Sequence, residues 1–234
     1  MKNCVINLIV FVLIMAEKVA YIVGKFIEPK QSMITITMHE SLITELETLK
    51  ENNALGLLSD LEARIATIKD CVNKAEAILR KQGAIYKWNK LNIVLECETG
   101  NNYYDGSNNT IVLSLSWVPA IYTNGENFYD NLYKIHGIEF DWGTDEAEKE
   151  ALEFTFWHEF GHYYDNIISH VNNNTINKAM KNNELKQRIN SIEYYKELRK
   201  VMSYEEADKT LSYEYRMMPK EYYADRFAKR MLGK

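Results

Sequence analysis

The stretch from Asp145 to about Asp165 constrains the fold more than any other part of the chain. It reads as one long helix. Asp145 and Glu148 form a capping-box pair, and Glu146 and Glu148 suit the positive N-terminal end of a helix. Ala151, Leu152, Phe154, Phe156 and Trp157 follow, placing large apolar side chains on more than one side. A helix of that kind is a buried one, so the rest of the chain has to fold around it. With 234 residues there is material for one well-packed domain, or one domain and an appendage.

The elements available to cover this helix follow from local pattern. Met33 to Met38 alternates apolar residues with Thr, as a short strand does. Helical stretches over about 39–52 and 60–82 come next. The second opens on the capping pair Ser59 and Glu62 and repeats Leu61, Ile65, Ile68, Val72, Ala75 and Leu79 at helical steps. Gly83 stands just past its end, where a left-handed residue is wanted. Leu91 to Cys97 reads as a strand, and residues 99–109 as a Gly-, Asn- and Asp-rich loop with a turn at Asp105-Gly106. Thr110 to Val118 reads as a second strand, at the edge of the sheet and ending near Trp117. Residues 176–210 are charged with helical periodicity, and Pro219 suits the first turn of a last helix that ends near Gly233.

No internal repeat or linker divides the chain. The expected fold is α+β: a small mixed sheet packed on the 145–165 helix, followed by a mostly helical C-terminal part. One domain over 31–234 is expected, with a cleft between 85–165 and 175–234.

The net charge of −5 and the absence of a basic stripe give no footprint for nucleic acid, so none is expected as a partner. Cys4, Cys71 and Cys97 lie far apart and form no CxxC pair, which makes them a poor metal set; they read as free buried thiols, with a Cys71–Cys97 pair as the alternative if the N-terminus is removed. Residues 1–30 are an apolar leader. Lys2 precedes the run CVINLIVFVLIMA, whose length fits a secretory signal core. A bilayer span needs about 20 apolar residues, so the run is too short to cross alone. A signal peptide or membrane anchor is expected, and with it a secreted or membrane-associated protein; without export the location would be cytoplasmic.

The chemistry-bearing feature lies inside the buried helix. His158-Glu159-Phe160-Gly161-His162 places two imidazoles one turn apart on a single face, where they can grip one Zn²⁺ ion. Glu159 projects beside them and can take a proton from water carried by the metal. Gly161 has no side chain, so a neighbouring element can come close. A catalytic zinc needs a third protein ligand and an open fourth position. No third His follows in the HExxHxxGxxH arrangement, so the candidates are acidic groups on a later helix. Glu221 and Asp225 share a helix face, with Glu221 as ligand and Asp225 as hydrogen-bond acceptor for a ligand imidazole. Ala224 and Ala228 are small enough for tight packing against the HExxH helix. His39, His136 and His170 read as surface residues, and the Tyr-rich tail (Tyr194, Tyr195, Tyr204, Tyr213, Tyr215) as packing or interface material.

The segments HEFGHYYD, with Asp165 after the second His, and PKEYYADRFA together resemble the lethal-factor-like zinc peptidases. That group includes the anthrax lethal factor catalytic domain and the clostridial Pro-Pro endopeptidases. The upstream order of elements is also similar, so the resemblance extends over 33–234 and is specific over the two motifs. It implies a zincin-like fold and a gluzincin metallopeptidase, with Glu221 as carboxylate ligand and Glu159 as general base. It further implies a Tyr that steadies the oxyanion seven residues before the ligand Glu. That place is Glu214 here, flanked by Tyr213 and Tyr215, and both neighbours are candidates. In such enzymes an extended substrate adds to a sheet edge, a role open to strand 110–118 and Trp117.

The expected function is therefore a zinc-dependent endopeptidase acting on a protein or peptide. Two other readings fit parts of the sequence. An intracellular, repressor-cleaving gluzincin of the ImmA/IrrE type would share HExxH and the later acidic helix; Asp165 and the apolar leader argue against it. A non-catalytic, membrane-anchored interaction protein would have a structural metal site or none, and would have no use for Glu159 as a base.

Overall fold

A computed structural model describes residues 32–82, 90–98, 102–116, 125–142, 144–169 and 175–234. The apolar leader, Gly83, Trp117 and His170 lie outside these residues. The described chain is an α+β fold with a small mixed sheet and helices around it. Its elements are β1 Ile34–Met38, α1 Glu40–Glu51, α2 Leu55–Gln82, β2 Leu91–Glu96, β3 Tyr103–Asp105, β4 Thr110–Ser114, α3 Gly125–His136 and α4 Asp145–Ser169. They continue as α5 Thr175–Ile189, α6 Ile192–Arg199, α7 Tyr204–Arg216 and α8 Pro219–Met231.

The strand order is β1-β2-β4-β3, with β1, β2 and β4 parallel and β3 antiparallel at the edge. Leu91, Ile93 and Leu95 alternate into the core from β2, while Ile111, Val112 and Leu113 of β4 are buried in succession. Consecutive buried residues mark a strand covered on both faces. The expectation of an edge strand at 110–118 is thus corrected: β4 is interior and ends at Ser114. The edge belongs to β3, three residues hidden in a stretch whose Asn and Gly content reads as loop. A tight turn from Gly106 to Asn109 joins β3 to β4, with Asn109 in the left-handed region at φ 52°.

Helix α2 buries the face that its periodicity announced, from Leu61 to Leu79. It starts at Leu55, earlier than the Ser59–Glu62 pair suggested. Asn53, at φ 52°, turns the chain out of α1 so tightly that the Ala54 carbonyl already accepts from Leu58 N. Ser59 is therefore inside the helix. On α4 the cap likewise shifts by one residue, because the Thr144 hydroxyl accepts from Ala147 N at 3.2 Å.

Helix α4 is the central element. Phe154, Phe156, Trp157, Phe160 and Tyr163 are all essentially buried, and they point to different sides of the helix. On one side lies α2, on another the β3–β4 end of the sheet, and α8 is packed along it most extensively of all. Asn166 on α4 donates to the Tyr104 hydroxyl at 3.1 Å, which ties the edge strand to this helix. Cys71 is buried in the core and Cys97 is partly buried, both as free thiols. No helix among the described residues is long and apolar enough to cross a membrane.

Candidate metal centre

His158 and His162 project from one face of α4 with their Nε2 atoms 3.0 Å apart. Opposite them is the first turn of α8. Pro219 occupies N1 there, where its missing N–H costs nothing, so Glu221 falls in the first turn and Asp225 one turn later. Glu221 Oε2 is 3.2 Å from His158 Nε2, and its Oε1 is 3.5 Å from His162 Nε2. Ligands about 2.05 Å from a tetrahedral zinc stand about 3.3 Å from one another. The two imidazole nitrogens are 3.0 Å apart and each has a different Glu221 oxygen close by, at 3.2 and 3.5 Å, distances near that spacing from a donor set that suits zinc.

What lets a Glu reach across is the closeness of the two helices. A Cβ on Gly161 would stand 3.1 Å from Ala224 Cα and 3.2 Å from Phe227 Cβ, tighter than ordinary van der Waals contact. Any side chain at 161 would wedge α8 away from the histidines. Ala224 and Ala228, both fully buried, supply the complementary small surface.

Behind the three ligand candidates lies a buried layer of charge. Asp225 Oδ1 accepts from His158 Nδ1 at 2.9 Å and also from Arg216 Nη2. Arg216 Nη1 is 3.6 Å from Glu221 Oε2, so one guanidinium faces both carboxylates of α8. Glu159, also buried, has a carboxylate oxygen within 4.8 Å of ligand atoms on both histidines. With neutral imidazoles, Glu159, Glu221 and Asp225 against Arg216 leave a surplus of two negative charges in a buried site. Buried charge without compensation is costly, and a divalent cation would balance this surplus.

Without a cation, a proton on His158 meets half of that demand. Burial pulls His158 toward its neutral form, but hydrogen bonds to Asp225 and Glu221 outweigh this and push its proton loss up to about 10. For Asp225, burial acts upward, yet Arg216 and the two imidazoles of His136 and His158 bring the carboxyl down to about 2. Glu221 is likewise opposed by burial and is held well below the usual carboxylate range by hydrogen bonds from His158 and His162.

The two tyrosine candidates separate. Tyr215 is 41 % exposed as a residue, but its hydroxyl end is largely buried and lies close to Glu221. Burial, then the negative charge of Glu221 and of Glu159, raises its phenol above the ordinary value, so it remains a donor. Tyr213 is 43 % exposed, with no contact to the histidines or to Glu221 among those the structure describes. Glu214 faces away, accepting from Arg188 Nη2 at 2.8 Å and from the Tyr194 hydroxyl at 2.6 Å.

Two residues at the centre escaped sequence reasoning. Arg216, at the end of α7, looks in sequence like an ordinary basic residue in a last helical turn. His136, expected on the surface, is buried, with Nε2 3.3 Å from Asp225 Oδ2. The reason is that α3 ends there and turns its last residue in against α8; Gly137, at φ 64°, is the one signal that a helix stops at this point. His39 does lie on the surface, where its ring caps α1 by accepting from Ser41 N. In comparisons with protein-family models, with curated proteins and with solved structures, nothing matched this chain.

Proposed function

We propose that this protein is a zinc-dependent endopeptidase of the gluzincin type, with a zincin-like fold and the lethal-factor-like motif arrangement. The observation that carries the reading is the convergence of His158, His162 and Glu221 within 3.0–3.5 Å of one another, with a Glu159 carboxylate oxygen within 4.8 Å of both imidazoles. A structural site would have no use for Glu159. These three side chains would hold a zinc ion, which would supply Lewis acidity and bring the acidity of a water near neutral pH.

The chain's own residues then divide the work. Asp225 accepts a hydrogen bond from His158 Nδ1–H, which would leave Nε2 as the ring nitrogen free to ligate. Glu159 takes a proton from the attacking water and passes it to the leaving amine nitrogen. Tyr215, kept protonated by its acidic neighbours, donates to the carbonyl oxygen as negative charge develops on it. Peptide substrate would lie along the β3 edge, which Asn166 and Tyr104 tie to α4.

The test is zinc content and peptide hydrolysis measured together on the full chain and on Glu159→Ala. One bound zinc with hydrolysis in the wild type, and zinc retained without hydrolysis in the variant, is the expected pattern. A wild-type protein that takes up no zinc overturns the reading.

A further inference from the structure

His136 is buried more deeply than a chance core histidine requires, with its side chain 3 % exposed. It is the last residue of α3, and the helix closes through Gly137 N donating to Tyr133 O at 2.8 Å. Three contacts hold it. Its ring lies 4.8 Å from the ring of Tyr222, the residue after Glu221. The Lys229 ammonium donates to its backbone carbonyl. Its Nε2 faces Asp225 Oδ2 at 3.3 Å without the alignment of a hydrogen bond, and neither of these two buried atoms has any other hydrogen-bond partner among the described residues.

A buried donor and a buried acceptor left apart each carry a desolvation cost, and a small rotation that lets Nε2–H donate to Oδ2 relieves both. The consequence falls on Asp225. Its Oδ1 is already committed to His158 and Arg216. The last torsion of an Asp is broad and roughly two-fold, so a carboxylate anchored through one oxygen alone can tilt or exchange its oxygens. A donor on Oδ2 removes that freedom.

We propose that His136 is a positioning residue of the metal centre: by donating to Asp225 Oδ2 it locks the carboxylate that orients His158. The inference rests on the metal reading above and adds a residue from α3, an element that carries none of the ligand candidates. It differs from a packing role because it needs the Nε2–H and not merely the ring.

Two variants of the full chain separate these roles. His136→Phe keeps the ring against Tyr222 and removes the donor. His136→Gln places an amide N–H near the position of Nε2. Zinc affinity is read by chelator competition, and ligand geometry by the visible spectrum of the cobalt-substituted protein. His136→Phe is expected to weaken zinc binding about tenfold and to alter the cobalt spectrum, with His136→Gln restoring affinity to within about twofold of wild type. Wild-type affinity and an unchanged spectrum in His136→Phe would overturn the inference, as would a folded His136→Gln that binds zinc as weakly as His136→Phe. If His136→Phe does not fold, His136→Gln decides alone: near-native affinity and spectrum support the inference, and weakened binding overturns it. Uptake of neither zinc nor cobalt by the wild type instead overturns the metal reading itself.

Discussion

His158 is engaged at both ring nitrogens by carboxylates of one helix: Nδ1 lies 2.9 Å from Asp225 Oδ1, and Nε2 lies 3.2 Å from Glu221 Oε2. A neutral imidazole has one N–H, so it can satisfy one of these acceptors and not both. Either a proton or a metal must sit at the other nitrogen. A cation at the proposed site would therefore compete with a proton.

The metal-free protein should therefore have a defined pH window of greatest stability. Folding holds a proton on His158 up to about 10, against 6.5 for an unperturbed His; that contribution is full below pH 6.5 and is lost as pH rises toward 10. Folding lowers the Asp225 carboxyl from 3.8 to about 2 and Glu221 well below 4.5; their contribution is full above pH 4.5 and is lost as pH falls toward 2. Thermal melts of the metal-free protein should peak between pH 4.5 and 6.5 and decline on both sides. At pH 7, zinc binding should release about one proton from His158, measured by calorimetry in buffers of different ionisation enthalpy.

Glu159→Gln removes the base and keeps the shape. It should lower kcat/KM for peptide hydrolysis by about 10²–10⁴-fold with zinc content unchanged. Loss of zinc alongside activity would place Glu159 among the ligands.

Tyr215→Phe and Tyr213→Phe form a paired test. The first should reduce kcat by about 10²–10³-fold with little change in KM, because the phenol acts on charge that exists in the transition state. The second should leave kcat close to wild type, since Tyr213 is solvent-facing and away from Glu221. Equal effects would refute the assignment.

Arg216→Met tests the charge balance. The guanidinium is the one permanent cation facing Asp225 and Glu221 among the described residues. Breaking a buried pair of this kind costs about 3–5 kcal/mol. The metal-free variant should lose most of that stability, whereas zinc replaces part of the missing charge. The gap in melting temperature between loaded and metal-free protein should therefore widen.

Gly161→Ala and Gly161→Val probe the helix contact. Alanine gains about 1 kcal/mol in helix propensity but loses about 1–3 kcal/mol to overpacking against Ala224. Valine adds crowding with no matching gain. Zinc retention under chelator should fall in the order wild type, Ala, Val, with Val also lowering the melting temperature. Unchanged retention in Val would mean that α8 does not depend on this contact.

The sequence by itself determined the elements whose information is local. His158 and His162 share a face because of helical spacing, and α8 begins at Pro219 because a proline suits the first turn. The buried face of α2, the strand at Leu91 and the joining of Glu221 with Asp225 on one helix side follow from periodicity alone. Tertiary structure decided what depends on distant segments meeting. That β4 is interior follows from β3 pairing with it, and three residues carry too little pattern to announce a strand. Tyr215 separates from Tyr213 only because α7 is seated so that position 215 faces Glu221. Arg216 and His136 bear no local mark of burial, since a charged or titratable side chain is tolerated inside only when partners from other elements surround it. Those partners, Asp225 and Glu221 for Arg216 and Asp225 for His136, lie on α8, and only folding brings them there.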